Sequence, residues 1–279
     1  MRWFWRLLAC GDRNIIAPMR CSSLVATALA VMLFAARAQA APEWIYRGLT
    51  LPRGDIALDL GLGYGHEPID ANRSIGGFGM NLELAAGVTH DLELGFRTGV
   101  RFDDDGQATL ADRYGRTFDT ETYDVGGDRV ANPELRMRWT VARGAVVQLG
   151  LEARAYLPIA TGTRFGVMFG VPLALRLGGV RIDTGLYVPI IFADTTNSIV
   201  SIPIHVWIQA SPTFWLGPLL GIQIDSPGSH NAYPFGFGFG SALSREVDLR
   251  AWVLFPDLNR NTEAARSFGV GVGLQIRFE

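Results

Sequence analysis

The side chains that could perform catalysis in this chain are few. Its four histidines are His66, His90, His205 and His230. A serine hydrolase needs a serine and a histidine within hydrogen-bonding distance, and a third group that orients the histidine. Ser201 and His205 share one face of a predicted strand but are roughly 13 Å apart at the rise of a strand, and Ser229-His230 lies in a predicted loop near Asp225. A hydrolase is therefore the least favoured of three functions considered below, and we expect no enzyme.

A second group of polar side chains recurs at every second position within apolar stretches. A period of two places such residues on one face of a strand. Charges at membrane depth are costly unless they are paired or face a wet interior. We therefore predict that this group lines the lumen of a barrel: Glu93, Arg97, Arg101, Glu134, Arg136, Arg138, Glu152, Arg154, Arg176, Arg181, Asp183, His205 and Arg250.

Strands of alternating character must position these residues. The last stretch, Val270 to Phe278, alternates apolar residues with Gly, Gln and Arg without a break. Similar strands are predicted at about 54–65, 77–89, 91–102, 130–142, 146–159, 164–177, 180–192, 199–211, 214–225, 233–244, 247–256 and 265–278. The pattern predicts an all-β fold, a transmembrane antiparallel up-and-down β-barrel of about 12 strands.

The connections between these strands alternate between tight turns and longer loops. Short periplasmic turns and longer external loops are typical of outer-membrane barrels, so we expect both termini on the periplasmic side. Aromatic residues facing outward cluster at the strand ends, where the headgroup region favours them. The loop-side group is Tyr64, Phe102, Phe165, Phe192, Tyr233 and Phe255, and the turn-side group is Trp139, Phe214 and Phe278.

The N-terminal region has the pattern of a signal peptide. Arg20 precedes an uncharged run and the small residues Ala38-Gln39-Ala40, which predicts export by the general secretory route with cleavage between Ala40 and Ala41. The predicted organisation is a signal peptide at 1–40, with Met19 as an alternative start, a periplasmic leader at 41–53 and an outer-membrane barrel at 54–279. Within the leader, Trp44 to Tyr46 are expected to enter the lower mouth of the barrel.

Composition restricts the chemistry further. Both cysteines, Cys10 and Cys21, precede the predicted cleavage site, so thiol chemistry is absent from the processed chain. We predict no cofactor and no metal site. The net charge of −2 shows no basic excess of the kind that nucleic acid binding requires. The expected partners are instead outer-membrane lipid, lipopolysaccharide and small solutes.

Two functions compete for the interior. In the first, the charged residues form a constriction in a narrow porin-like channel for small polar or aromatic solutes. In the second, the same charges pair into a static network that closes a structural or surface-interaction barrel. Many inward glycines, Gly61 and Gly63 among them, leave space and favour the channel. The longest loop, 103–129, is interpreted as a solvated external loop; the alternatives are an inward-folded constriction and a loop that binds divalent ions at the cell surface.

One segment carries a family resemblance. Gly87-Val88-Thr89-His90-Asp91-Leu92-Glu93-Leu94 resembles the hairpin G-[VL]-T-D-x-L-E-L of transporter-like outer-membrane proteins, which include barrels linked to phenol meta-pathway degradation. The segment from Pro133 to Gly162 is also similar. The resemblance implies an outer-membrane location and solute uptake. The terminal strand resembles the signal read by the barrel-assembly machinery, with Phe278 followed by Glu279.

Overall fold

The computed structural model describes residues 43–68, 74–102, 130–159, 165–192, 197–226, 231–258 and 266–279. The predicted signal peptide, its cleavage site and loop 103–129 lie outside these residues. The strands are β1 Ile56–Pro68, β2 Ser74–Gly87, β3 Leu92–Arg101, β4 Val130–Arg143, β5 Val147–Tyr156, β6 Gly166–Leu177, β7 Val180–Ile191, β8 Asn197–Ser211, β9 Phe214–Ser226, β10 in two segments (Asn231–Ala232 and Phe235–Ala242), β11 Val247–Phe255 and β12 Phe268–Phe278.

The sheet closes on itself. Each strand pairs antiparallel with its neighbours in sequence, and β12 returns to pair with β1 from Ile56 opposite Phe278 to His66 opposite Phe268. Closure gives the edge strands partners for their backbone N–H and C=O groups, which a strand surrounded by lipid requires. The predicted all-β transmembrane barrel of 12 strands is confirmed.

The alternation of the sequence becomes the two faces of the wall. In β10, Phe235, Phe237 and Phe239 are exposed on the outside, whereas the glycines between them are buried. The same arrangement on the other strands produces an apolar exterior, as lipid requires. The predicted aromatic residues Phe102, Phe165, Phe192, Tyr233, Trp139, Phe214 and Phe278 are all exposed, and Tyr64 and Phe255 are partly exposed.

The tenth strand differs from its predicted form. A single run over 233–244 was expected, but the ladder to β9 is interrupted at Tyr233 and Pro234. Proline has no N–H to donate, so its position breaks the regular hydrogen bonding. Its carbonyl still accepts from the N–H of Gly221 at 3.0 Å, and the N–H of Tyr233 donates to Asp257 Oδ1 at 3.1 Å.

A short 3₁₀ turn at Trp44–Tyr46 precedes the first strand. No helix among the described residues is long and apolar enough to cross a membrane. The tight connection between β6 and β7 is made by Gly178 and Gly179, with Gly178 at a φ of +59°. That backbone conformation favours glycine because a Cβ would collide with the backbone.

Candidate functional site

The interior of β2 to β5 holds two neighbouring groups of buried ion pairs. Arg136 lies between two carboxylates, with Nη1 2.6 Å from Glu83 and Nη2 2.9 Å from Glu93. Glu152 accepts from Arg138 at 2.5 Å and from Arg154 at 2.8 Å. These six residues, with Glu134, form what we call the β2–β5 charge cluster: Glu83, Glu93, Glu134, Arg136, Arg138, Glu152 and Arg154.

The charge cluster is tightly packed. Arg154 also reaches Glu134 at 3.1 Å, so this arginine bridges two carboxylates on two strands. The gap among Glu83, Arg97 and Arg136 leaves no room for a water molecule. Ion pairs in such a dry setting are strongly coupled, because removing one partner leaves a buried charge that water cannot reach.

Three smaller groups of ion pairs lie elsewhere on the wall. Arg250 on β11 pairs with Asp59 on β1, and Gln275 donates to the other oxygen of Asp59 at 3.0 Å. Arg181 pairs with Asp183 on its own strand at 2.8 Å. Near the tight turns, Arg277 on β12 pairs with Asp248 on β11 at 2.9 Å.

Residues 43–53, here called the N-terminal segment, enter the barrel interior over Trp44 to Leu51, whereas Pro52 and Arg53 are exposed. Trp44 and Ile45 are only 3% and 0% exposed, whereas the side chain of Tyr46 is 55% exposed. The Trp44 ring stacks on Trp215 with centroids 5.4 Å apart and meets the ring of Trp207 edge-on at 5.2 Å. The segment therefore occupies interior space next to β8 and β9.

The main chain of the N-terminal segment is held by side chains of the wall. The N–H of Leu51 donates to Glu93 Oε2 at 2.8 Å, and the N–H of Leu49 donates to Gln148 Oε1 at 3.0 Å. The hydroxyls of Thr50 and Thr140 are 3.0 Å apart. The segment thus passes the turn-side parts of β3, β4 and β5.

Arg47 makes several further polar contacts of this segment. Its carbonyl oxygen accepts from Arg176 Nη2 and from Arg181 Nη1, each at 2.7 Å. Its guanidinium group pairs with Asp248. Arg47 therefore links the segment to β6, β7 and β11 at once, so the segment spans the interior from β3 to β11.

The inward glycines do not all leave space, which corrects the expectation from sequence. A Cβ at Gly170 would collide with the ring of Tyr187, and one at Gly240 would collide with Trp215. Rings also cover Gly238 and Gly271, through Trp207 and Trp252 respectively. At Gly61, by contrast, a Cβ would meet only the Cβ of Asn81, at 3.6 Å. Side chains therefore fill the space in front of four of these glycines, and Asn81 alone lies within 4 Å of a Cβ at Gly61.

The structure buries most of the residues that the sequence singled out. Arg176 is partly exposed, and the side chain of Arg101 lies outside the described part of the structure. The buried ones are Glu93, Arg97, Glu134, Arg136, Arg138, Glu152, Arg154, Arg181, Asp183, His205 and Arg250. Whether they line an open lumen stays a prediction, because burial and pairing fit either competing function.

Several partners were missed from sequence. Arg277 and Gln275 continue the inward register of Gly271 and Gly273 on β12, so the period of two could have found them. Arg47 could not have been found in this way, because it lies outside any strand. Its role depends on where the N-terminal segment runs through the interior.

A catalytic arrangement is not assembled from the candidate residues that are described. Ser201 and His205 remain four residues apart along β8, where they lie opposite Tyr187 and Asp183 of β7. Ser229 and His230 lie outside the described residues. Among the residues that the structure describes, no group of three or more His, Asp or Glu side chains could hold a metal ion.

Solved structures with a similar barrel are outer-membrane channels. An outer-membrane channel from Pseudomonas putida F1 matches with a TM-score of 0.59 and 11% identity, covering 84% of this chain and 98% of that one. The NanC porin matches with a TM-score of 0.55 and 5% identity, covering 78% of this chain and 98% of that one. The protein has the fold of an outer-membrane channel barrel. No protein-family model matches the chain, and no curated protein matches it in sequence.

At these identities the likeness establishes the fold. A third match, the KdgM porin in complex with disordered oligogalacturonate, has a TM-score of 0.50 and 9% identity, with 78% of this chain and 99% of that one covered. The resemblance to an outer-membrane barrel family is therefore supported. The finer resemblance to barrels of phenol degradation stays a prediction.

Proposed function

We propose that the protein is a narrow porin-like channel for passive passage of small polar or aromatic solutes across the outer membrane. One observation carries the proposal, a patch of wall made of glycines, of which Gly271 is covered by the ring of Trp252. Gly63 on β1 lies opposite Gly271 of β12 on one side and Gly79 of β2 on the other. The next row toward the loops repeats this composition with Gly269, Gly65 and Gly77.

The proposed passage runs along β1 and β2. Gly61 lies opposite Asn81, and the space in front of Gly61 is not filled by another side chain. Asp59 lies one row nearer the turns, and its partner Arg250 lies in the row of Gly61, with Gly273 between them. A solute passing here would meet an amide, a glycine surface and a paired charge. This combination suits small polar molecules better than large apolar ones.

A closed structural or surface-interaction barrel is the second candidate. The dry β2–β5 charge cluster favours it, because that part of the interior leaves no room for water. The two candidates differ in one property, the flow of ions through the folded protein.

Conductance of the purified protein in a planar bilayer separates them. We expect discrete openings, with a smaller single-channel conductance for Gly61→Phe, which adds a ring to the proposed passage. Leu62→Phe is the matched control, because Leu62 is the next residue along β1 and is exposed on the outer face. Asn81→Asp and Asn81→Lys should shift the reversal potential in a salt gradient in opposite directions.

Two outcomes would contradict different parts of the proposal. A folded protein that never conducts supports the closed barrel. Conductance that Gly61→Phe leaves unchanged keeps the channel and moves the passage away from β1.

The membrane placement also belongs to this proposal. The apolar exterior suits contact with outer-membrane lipid and lipopolysaccharide, and the tight turns suit periplasmic termini. The β12 strand ending at Phe278 would present the recognition signal for the barrel-assembly machinery. Membrane fractionation tests the location, since recovery of the protein in the soluble periplasmic fraction contradicts it.

A further inference from the structure

Three charged wall residues that contact the N-terminal segment do not depend on it for charge compensation, because each also has a partner on the wall. Asp248 has Arg277 at 2.9 Å, Glu93 has Arg136 at 2.9 Å, and Arg181 has Asp183 at 2.8 Å. Departure of the segment would therefore leave these charges paired. These three residues would therefore not become uncompensated buried charges, the usual obstacle to such a movement. Arg176, which donates to the carbonyl of Arg47 and makes no ion pair among the described residues, is partly exposed.

The segment joins β1 at a glycine in the left-handed conformation. Gly54 has a φ of +90°, and its N–H donates to the carbonyl of Gly87 at 2.8 Å. The missing side chain of Gly87 lets the carbonyl of Pro52 approach closely. Ahead of this point, the backbone–backbone hydrogen bonds described for residues 43–51 are internal to the 3₁₀ turn. The predicted cleavage after Ala40 would also leave a free end close to Glu43.

The carbonyl of Arg47 occupies a place better suited to an anion. Two guanidinium groups, those of Arg176 and Arg181, converge on this neutral oxygen at 2.7 Å each. Arg181 already has Asp183, but Arg176 makes no ion pair among the described residues. A carboxylate oxygen would add to these hydrogen bonds the attraction of its negative charge for two cations, which a neutral carbonyl oxygen lacks. The carbonyl oxygen therefore stands where a carboxylate oxygen would bind more tightly.

The adjoining place is occupied by an aromatic ring. The Arg181 guanidinium lies over the Trp44 ring, 4.9 Å from its centroid, and the other face of Trp44 stacks on Trp215. Arg181 thus contacts both the ring of Trp44 and the carbonyl of Arg47. A flat ring carrying a carboxylate could reach both places as one small molecule.

We propose that the N-terminal segment is a tethered gate on the turn side of the barrel. A small aromatic carboxylate opens it by replacing the Trp44 ring on Trp215 and the Arg47 carbonyl between Arg176 and Arg181. The role of this exchange in transport rests on the proposed channel function. The exchange itself is a binding event and can be measured without conductance.

Cysteine labelling follows the gate directly. Ile45→Cys places a thiol at a fully buried position, and the processed chain has no other cysteine. A maleimide reaches such a thiol only when the segment leaves the interior. In detergent micelles, indole-3-acetate at saturation should accelerate labelling by about tenfold or more, because it binds only the open form. Indole-3-acetamide, which has the ring but no charge, and acetate, which has no ring, should not. Tyr46→Cys is the control, since this exposed position should react rapidly with or without these compounds.

Two further variants test the site and the movement. Arg176→Gln, added to Ile45→Cys, removes one cation without stranding a carboxylate, and should raise the half-maximal concentration of indole-3-acetate about tenfold. Cross-linking the segment to the wall through Thr50→Cys and Thr140→Cys should prevent openings in a planar bilayer, and reduction of the cross-link should restore them. The native hydroxyls at these positions are 3.0 Å apart.

The outcomes separate the gate from the channel. Labelling of Ile45→Cys that ignores indole-3-acetate overturns the gate, even if the protein conducts. The anion site is overturned if the neutral amide accelerates labelling as much as indole-3-acetate does. It is also overturned if Arg176→Gln leaves the response to indole-3-acetate unchanged. An accelerated labelling in a protein that never conducts keeps the binding exchange and overturns the proposed channel function instead.

Discussion

Glu152 is the carboxylate on which the β2–β5 charge cluster depends. Nε and Nη2 of Arg138 lie 2.5 Å from one of its oxygens, and Nε of Arg154 lies 2.8 Å from the other. The side chain is 3% exposed, and Arg138 is 0% exposed. Glu152→Gln preserves the shape and removes the charge. The expected loss in the free energy of unfolding is about 3 kcal/mol, the lower end of the range for breaking a buried pair, because Arg154 keeps Glu134 at 3.1 Å.

Urea unfolding in lipid vesicles, followed by tryptophan fluorescence and by heat-modifiable migration on gels, measures this loss. Asp91→Asn is the control, since the Asp91–Arg143 pair is exposed at 3.3 Å and should contribute less than about 1 kcal/mol. The double variant Arg138→Gln/Glu152→Gln should recover part of the loss, because it leaves no orphaned cation.

The result bears on function as well as stability. If Glu152→Gln costs no more than Asp91→Asn, water reaches Arg138 in the folded barrel. The description of a dry, tightly coupled cluster would then be wrong. Water would reach the interior beside β4 and β5 as well as the proposed passage along β1 and β2. Double and single variants of equal stability would instead show that the two side chains do not interact energetically.

Three further expectations follow from the fold. Leu151→Arg on the outer face of β5 should impair assembly by about 2–4 kcal/mol, whereas Leu151→Met should not, as measured by the yield of heat-modifiable barrel; similar yields would mean that this face is not in lipid. Gly240→Ala should lower the free energy of unfolding by about 1–3 kcal/mol, because its Cβ would collide with Trp215, and Gly61→Ala should be nearly neutral; equal effects would contradict the assigned packing. Deletion of residues 43–51 should leave a folded barrel, because Asp248, Glu93 and Arg181 each retain a partner on the wall. Loss of the heat-modifiable form would show that the segment is required for assembly.

The strands could be predicted from sequence because their signal is local. Side chains of a strand alternate between two faces, so apolar residues recur at every second position in each strand of a barrel that faces lipid. Phe235 to Gly240 shows this in its simplest form, with phenylalanine outside and glycine inside. The alternation of tight turns with longer loops then implies a closed barrel with an even number of strands. The break at Pro234 was the exception, since one proline decides it.

The pairing of the interior charges could not be predicted in the same way. Sequence placed Glu93, Arg136 and Glu152 on the inner face, but the choice of partner depends on the register and tilt of neighbouring strands. Arg136 reaches Glu83 and Glu93 on two different strands, and Arg154 takes Glu134. The use of glycine was equally undetermined. Gly61 and Gly240 both lie at inward positions of alternating strands, and the sequence does not distinguish them. Only at Gly240 does a tryptophan ring from the adjacent strand cover the glycine.

The sequence by itself therefore determined which residues face lipid and which face inward, because that property repeats along each strand. Only the tertiary structure decided how the interior is filled. Trp44 was expected near the mouth of the barrel, but the contacts of Arg47 and Leu51 with the wall carry no periodic signal. They exist because closure of the barrel brings β3 to β11 around one short segment, an arrangement of distant residues that no local pattern contains.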